Sequence, residues 1–492
     1  MNIHPCRTMR LAEQALFDSG AIGSGDLMDA AISSALAQLS QDPDLCAAAS
    51  RFSEVVVYAG KGKNAGDAIG LAREMGFSPI SIRGVVPLRK MAPETCQQAL
   101  RIPKDELVHI HDMPYSPPGG ILIIDGLLGS GAAGALRAEY AELAAEINAL
   151  RAENPLNLVL SIDIPTGLDA DTGQADEAAV QADITLAIGC VKPGMLADGA
   201  ERYVGRLVCA PLPEVELPES SAQVADSSLQ TLLPRRPYSY YKNQAGRVRI
   251  IAGSPGYTGA AELCAEAALA AGAGLVELCC LPSTYSILAA RVSAEVMVRP
   301  LQSYAEVSAS GADALVVGPG LGQPDAANTA ALRELVEHCP CPLVLDADGL
   351  NLAATQGWRI SPHCILTPHP GEMRKLYPAA AHMSRAECAA AFVQERPCTL
   401  LLKGARTIIT NGCATWYNST GGPHMATGGQ GDALSGAIAA YAAQGLSPLH
   451  AALLGAYSCG RAADIARATQ GYPISVRPSS ILAYLTTPTL PH

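Results

Sequence analysis

Three glycines crowded ahead of an acidic residue are the part of this sequence best suited to do chemistry. In MATGGQGDALSGAIAAYAAQG, Met425 to Gly445, Gly428, Gly429 and Gly431 precede Asp432, and an amphipathic helical pattern follows. Glycines lack Cβ, so successive backbone N–H groups can converge on a phosphate, and a helix start adds partial positive charge. Asp432 falls in the first turn, beside the anion rather than within it. A carboxylate there would repel phosphate directly. Its expected task is to accept the proton of a substrate hydroxyl as that oxygen attacks a phosphoryl group. Helix capping by Asp432 is the simpler alternative, and it leaves the three glycines unexplained.

Other polar residues stand at the ends of apolar runs. Lys403 follows Thr399 to Leu402, where an ammonium either reaches a phosphate or is merely solvated. His369 lies between Pro368 and Pro370, an extended turn that either presents the imidazole to substrate or uses it structurally. Gly318, Gly320 and Gly322 in VVGPGLG permit close backbone approach to a ligand or mark a bare turn. Asp346 and Asp348 in LDADGLN are turn residues or water-mediated Mg2+ contacts. In the first half, YAGKGKNAGDAIGLAREMG reads as strand, glycine turn and helix, with Asp67 as a candidate N-cap. IIDGLLGSGAAGALR puts Asp125 at a strand end and SIDIPTGLDADTG puts Asp163 at another, so three strand ends aim polar groups at one crevice.

The elements that position these residues are short apolar runs ending in Gly, Asp or Pro. Strands are expected at Val55 to Tyr58, Ile121 to Ile124, Leu158 to Ile162 and Ile184 to Ile188. They recur at Arg247 to Ile251, Ala314 to Val317, Leu343 to Leu345, Ile365 to Leu366, Leu400 to Leu402 and Thr407 to Ile409. Helices are expected at Gly259 to Ala271 and from Ser384, where SRAE is a capping box. Apolar runs without alternation suit parallel strands covered on both faces, the doubly wound α/β fold that binds ligands at the strands' carboxyl ends. At 492 residues two domains are expected. Between Ala210 and Arg236 the chain becomes rich in Pro, Glu and Ser, which sets the domains at 1–215 and 216–492.

Composition excludes several classes. The chain carries 34 basic against 46 acidic residues, a net charge of -12 that would repel a phosphodiester backbone, so nucleic acid is not an expected partner. MNIHPCRTMRLAEQALFDSG has no apolar core of the signal-peptide kind, and no run of transmembrane length occurs. Fifteen scattered cysteines lack paired metal-ligand spacing and fit reduced thiols in the cytoplasm. No internal repeat is evident.

Taken in order, the segments AGRVRIIAGSPGYTGAAELCAEAALAAGAGLVEL, VVGPGLG, PLVLDADGLNLAA, ILTPHPGEM, LLKGARTIIT and MATGGQGD resemble the ADP- or ATP-dependent NAD(P)HX dehydratases, which have the ribokinase-like fold. The resemblance implies nucleotide contacts at Lys403, Gly404, Ala405, Arg406, Thr407 and Gly431. It implies hydrated substrate at Ala260, Gly322, His369 and Asp432, with Asp432 catalytic and Mg2+ accompanying ADP or ATP. Over roughly Arg10 to Val208 the first half resembles the Rossmann-like NAD(P)HX epimerase domain, through counterparts of GxGNNGGD, DxLxGxG and SIDIPSG. That resemblance implies K+ on Asn64, Asp125 and Thr166, oxygen ligands that suit a hard cation. It implies substrate at Lys63, Asn64, Ala65, Gly66 and Asp67, at Gly129, Ser130, Gly131, Ala132, Ala133, Gly134 and Ala135, and at Asp163.

The implied activity is repair of NADHX and NADPHX, cofactors whose nicotinamide ring has gained water at C6, by a homo-oligomeric cytoplasmic enzyme. Four departures stand out. Gln430 replaces Ser or Thr, Tyr241-Lys242-Asn243 replaces His-Lys-Gly, Lys63 replaces Asn and Ala65 replaces Gly. Lys63 either pairs with a substrate phosphate or crowds the K+ site. The alternatives are a ribokinase-type small-molecule kinase, and a nucleotide-binding module whose N-terminal half is a pseudo-enzyme.

Overall fold

The computed structural model describes residues 1–49, 51–52, 54–132, 134–233 and 235–486, so Ala133 lies outside the described residues. The chain divides into two units, Met1–Gln223 and Val224–His492. This division falls a few residues beyond the 215/216 boundary expected from the sequence. The reason is local: Ser220 Oγ donates to the Ile3 carbonyl at 2.9 Å, Ile3 N–H donates to the Ala222 carbonyl at 3.2 Å, and Asn2 bridges Gln223. These contacts retain the segment in the first unit.

The first sheet contains β1 (Val55–Ala59), β2 (Ile80–Gly84), β3 (Leu107–His109), β4 (Leu122–Gly126), β5 (Leu158–Ile162), β6 (Ile184–Gly189) and β7 (Arg206–Pro211). All pair in parallel, in the order β3-β2-β1-β4-β5-β6-β7. Every residue of β1, β4 and β5 is buried, as unbroken apolar runs require. The strand order reverses between β1 and β4, a Rossmann-like switch point where strand ends diverge and leave a crevice. The strands β2, β3 and β7 were not among those expected. ISIRG and RLVCAP mix apolar with charged residues, and β3 is a short, largely exposed edge.

The second sheet holds β8 (Ala222–Val224), β9 (Arg247–Ile251), β10 (Leu275–Cys280), β11 (Val296–Pro300), β12 (Ala314–Val317), β13 (Leu343–Leu345), β14 (Cys364–Leu366), β15 (Thr399–Leu402), β16 (Thr407–Thr410) and β17 (Thr415–Asn418). Its order is β11-β10-β9-β12-β13-β14-β15-β16-β17-β8. Pairing is parallel from β11 to β15, then antiparallel to β16 and β17. The change follows from length: only residues 403–406 separate β15 from β16, enough for a hairpin and too few for a crossover. Lys403 therefore opens a tight turn at the sheet's carboxyl end.

Two alanine-rich helices, Thr258–Ala270 and Gln430–Ala443, pack directly on one another. A Cβ on Gly436 would stand 2.0 Å from the Cys264 carbonyl oxygen, so this glycine sets how closely the helices approach. Because the helix Gln430–Ala443 also carries Asp432, overpacking there should disturb stability and site together. Gly436→Val is expected to destabilise the second unit by at least about 1–3 kcal/mol in denaturant unfolding.

Candidate active sites

In the second unit, Asp346 leaves β13 at its carboxyl end and is buried. Lys403 Nζ, at the end of β15, donates to Asp346 Oδ1 at 3.0 Å and stands 3.9 Å from Glu372 Oε2. Ser435 Oγ donates to Asp346 Oδ2 at 2.8 Å. The glycine loop sits against this pair: a Cβ on Gly431 would lie 3.4 Å from Lys403 Nζ and 3.7 Å from Asp346 Oδ2. Gly429 is the N-cap residue of the helix Gln430–Ala443 with φ 95°, a left-handed conformation that favours glycine. A Cβ on Gly428 would meet nothing within 4 Å, so that side of the loop is open.

Asp432 is the third residue of this helix, and no side chain makes the capping hydrogen bond, so capping is not its role. Burial pushes its carboxyl up to about 6. The Asp346 charge adds to that shift, Lys403 opposes it and Asp348 adds further. A carboxyl titrating there is poised to exchange a proton near neutrality.

The remaining expected residues gather at the same strand ends. A Cβ on Gly320 would lie 2.9 Å from Ala260 Cβ, and Gly322 N–H donates to Asp348 Oδ2 at 2.8 Å. Gly318 needs to be glycine because a Cβ would come 1.9 Å from the Asp346 carbonyl oxygen. His369 is the N-cap of the helix Pro370–Leu376, with Nδ1 accepting from Gly371 N–H at 2.9 Å and Glu372 N–H at 3.3 Å. The proton of a neutral ring is then on Nε2. His369 caps the helix through Nδ1, its Nε2 stands 3.5 Å from Glu372 Oε1, and 56% of the side chain is exposed. In the hairpin, Gly404 and Ala405 are exposed and Thr407 Oγ1 donates to the Gly404 carbonyl at 3.1 Å. Arg406 is buried, between the exposed Ala405 and the partly buried Thr407.

Sequence reasoning missed Glu372, Ser435 and Arg385 here. Glu372 closes a capping box with His369, a pattern legible in HPGE. Ser435 follows Asp432 by one helical turn. Arg385 Nη1 donates to the Arg406 carbonyl at 3.2 Å and lies across Gly404, a contact that only the fold creates.

In the first unit, Asp125 at the end of β4 is fully buried. Its oxygens accept from Thr166 Oγ1 at 2.7 Å, Thr166 N–H at 2.9 Å, Ser161 Oγ at 2.9 Å and Leu127 N–H at 3.2 Å. No cation pairs with it among the described residues, and burial pushes its pKa up. Asn64 spans the neighbouring carbonyls of Leu128 and Ile162 at 3.0 and 3.1 Å. A buried carboxylate lacking a counter-charge, beside convergent carbonyl and amide groups, fits a hard monovalent cation.

Asp163 ends β5 with φ 67°, strained for a residue that is not glycine. Ser130 N–H donates to its Oδ2 at 2.8 Å, and the Lys192 ammonium is bonded to its Oδ1. Burial opposes ionisation of Asp163, but Lys192 and the Ser130 N–H hold its pKa below the ordinary range. A Cβ on Gly129 would lie 3.3 Å from both Asn64 Cγ and Asp163 Oδ2, so the glycine loop touches both. Positions 131 and 134 are open around their glycines, Ala132 is exposed, and Ala135 is exposed beside them. Ala65 and Gly66 are buried against β4 and neighbouring helices.

Lys63, not Asp67, occupies the N-cap position of the helix Asn64–Glu74, which corrects the expectation for Asp67. Asp67 lies in the first turn, pushed well up by burial and then by Asp163 and Glu13, with Lys63 opposing. Lys63 Nζ donates to Ser24 Oγ at 2.6 Å, stands 3.3 Å from Glu94 Oε1 and lies over the Phe17 ring, directions distinct from those Asn64 takes. Sequence reasoning missed Lys192 and Glu13; VKPG directly after the β6 run was the available signal.

A family model described as NAD(P)H-hydrate dehydratase matches residues 248–487, and one described as YjeF-related protein N-terminus matches residues 25–194. A bifunctional NAD(P)H-hydrate repair enzyme of Moorella thermoacetica is 34% identical over 460 residues, covering 85% of this chain and 84% of its own. That of Methanopyrus kandleri is 35% identical over 440 residues, 85% of each chain, and that of Escherichia coli 34% identical over 435 residues, 85% of this chain and 81% of its own. A solved ADP/ATP-dependent NAD(P)H-hydrate dehydratase from Bacillus subtilis, co-crystallised with ATP and Mg2+, is 26% identical with a TM-score of 0.47, over 53% of this chain and 95% of its own. Matched in both halves and along most of its length, the chain belongs to the bifunctional NAD(P)H-hydrate repair enzymes.

Proposed function

We propose that this chain restores hydrated nicotinamide cofactors, its second unit dehydrating the S form of NADHX or NADPHX with ADP or ATP and its first unit interconverting the R and S forms. The observation that carries the reading is Asp432, a carboxyl with a pKa of about 6 at the start of a glycine-led helix beside the Lys403–Asp346 pair. Asp432 accepts the C6-hydroxyl proton as that oxygen attacks the terminal phosphoryl group. Phosphate then leaves C6, C5 loses a proton and the ring double bond re-forms. Lys403, the exposed turn at Gly404 and Ala405, Arg406, Thr407 and the Gly431 N–H supply the phosphate and nucleotide contacts. Ala260, Gly322 and His369 line the substrate side.

Among the described residues no group of His, Cys, Asp and Glu could hold a metal ion by itself. Mg2+ would therefore be carried by the nucleotide phosphates, with Asp346 and Asp348 as water-mediated neighbours, and would neutralise charge developing there. In the first unit Asn64, Asp125 and Thr166 would hold K+, which would balance the buried Asp125 charge. Lys63 to Asp67, the loop from Gly129 to Ala135 and Asp163 would receive the hydrated ring and its phosphates. All fifteen cysteines are free thiols, and no described helix is long and apolar enough to cross a membrane; both support a cytoplasmic placement.

Two outcomes test the dehydratase site. Burial raises the folded pKa of Asp432 above its unfolded value, so ionisation costs the folded state stability at neutral pH. Protonation below about 6 relieves that cost and removes the base. Dehydration measured by recovery of reduced-nicotinamide absorbance is thus expected to fall about 10-fold per pH unit below that point. Asp346→Asn, which removes a like charge, should move this limb to lower pH. Asp432→Asn should lower dehydration about 100-fold or more while ADP and ATP still bind by calorimetry; unchanged turnover would refute the assignment. A stable phosphorylated product without NADH recovery would instead mark a ribokinase-type kinase.

A further inference from the structure

Lys192 follows β6, and its side chain is 1% exposed. Its ammonium is bonded to Asp163 Oδ1 and donates to the Ile188 carbonyl at 2.9 Å. A buried ammonium is costly unless an ionised partner meets it. The other titratable groups facing it are Glu13 and the Cys6, Cys190 and Cys209 thiols; burial pushes all three thiols up, Cys6 and Cys209 to about 12, so none of the thiols is charged near neutrality. Asp163 is accordingly its counter-ion.

Asp163 in turn faces two more carboxyls. Glu13, on the helix Cys6–Asp18, and Asp67, on the helix Asn64–Glu74, lie within range of its charge, and each is pushed up first by burial and then by Asp163. Lys63, the other cation near these groups, is half-exposed and committed to Ser24 and Glu94. Three carboxyls thus share one buried ammonium, and among them that ammonium is bonded to Asp163. The left-handed backbone of Asp163 and the Ser130 N–H fix the rest of the carboxylate.

We propose that Lys192 is a positioning residue of the epimerase site, holding Asp163 as the ionised member of the Glu13, Asp67 and Asp163 cluster so that Asp163 takes the C6-hydroxyl proton while Asp67 supplies one to the ring nitrogen. This rests on reading the first unit as the epimerase. The hydrated C6 is a hemiaminal carbon. As Asp163 takes the hydroxyl proton, C6 becomes a carbonyl, the C6–N1 bond breaks with its electron pair to N1, and N1 takes the Asp67 proton. Rotation about C5–C6 presents the other carbonyl face. Closure returns the N1 proton to Asp67 and the Asp163 proton to oxygen, leaving the opposite configuration with atoms and charge unchanged.

The test uses the full chain as wild type, Lys192→Met, Lys192→Arg and Asp163→Asn. Exchange of R and S NADPHX is followed by chromatography with K+ present across a pH series, with the spontaneous rate subtracted. Lys192→Met is expected to lose about 100-fold in kcat at neutral pH with KM within about 3-fold, and the loss should shrink as pH rises and Asp163 ionises unaided. Lys192→Arg, which keeps the charge, should recover most of the rate, and dehydration of S-NADPHX should be unaffected throughout. Exchange by Lys192→Met within a few-fold of wild type, or a loss equal at every pH with thermal unfolding unchanged, overturns the proposal. If Lys192→Met does not fold, Lys192→Arg decides: exchange near wild type supports the role, and exchange as slow as Asp163→Asn at every pH overturns it. Wild-type exchange no faster than the spontaneous rate overturns the epimerase reading and this proposal together, an outcome separate from normal wild-type exchange with an unaffected Lys192→Met.

Discussion

Parallel strands covered on both faces leave almost nowhere for a charge except the strand ends, and the placement of both sites follows from that constraint. Within β1, β4, β5, β12 and β13 burial is complete. A charge inside such a sheet needs its own partner, as Arg249 in β9 has in Glu277. Asp125, Asp163, Asp346 and Lys403 instead collect where β4, β5, β13 and β15 stop. The glycine turns that follow bring backbone N–H groups to the same places, so anion-binding groups and acid–base groups meet as a consequence of topology.

The two units resolve the resulting crowding of carboxyls by the same electrostatic means. In the second, Lys403 pairs with the buried Asp346, and the neighbouring Asp432 is left raised to about 6. In the first, Lys192 pairs with Asp163, and the neighbouring Asp67 is left well above its ordinary range. One ammonium fixes one carboxylate, and burial together with that fixed charge keeps the next carboxyl protonated to higher pH. Two carboxyls with pKa values pushed apart are the usual physical basis for separating acid from base. The positions of the ammonium groups therefore matter as much as those of the carboxyls they accompany.

What the sequence made legible follows the same division. Long apolar runs such as VVVYA and LVLSI announce buried strands, and Gly428 to Asp432 announces a glycine-led helix because conformational demand and charge appear together. ISIRG, LVH and RLVCAP were not legible because edge or partly polar strands lack the unbroken run. The division at 223/224 was not legible because the pairing of Ala222 with Ile3 joins segments more than two hundred residues apart and leaves no local pattern. Lys192 was missed for a related reason. A lysine beside a strand end usually reads as solvated, and only the approach of β5 to β6 buries it against Asp163. His369 shows the converse, since Nδ1 takes the capping role legible in HPGE while Nε2 stands 3.5 Å from Glu372 Oε1 and more than half of the side chain remains exposed.

The departures from the family pattern turn on where side chains point rather than on what they replace. Lys63 stands next to Asn64, yet Asn64 turns inward to the Leu128 and Ile162 carbonyls, while Lys63 turns to Ser24, Glu94 and the face of Phe17. Acceptor, counter-charge and aromatic face together offer the ammonium more than the approach to a cation site would, where it meets like charge. Gln430 follows the same logic, since its Nε2 donates to the Val476 carbonyl at 3.0 Å and to Thr427 Oγ1 at 3.3 Å. The longer side chain is tied to Thr427 and Val476, while a Cβ on Gly428 would meet nothing within 4 Å. Substitutions at a helix start are tolerated when their donor groups find partners off the ligand face; the fold supplies such partners for the Lys63 ammonium and for Gln430 Nε2, while Gln430 Oε1 is buried without one among the described residues.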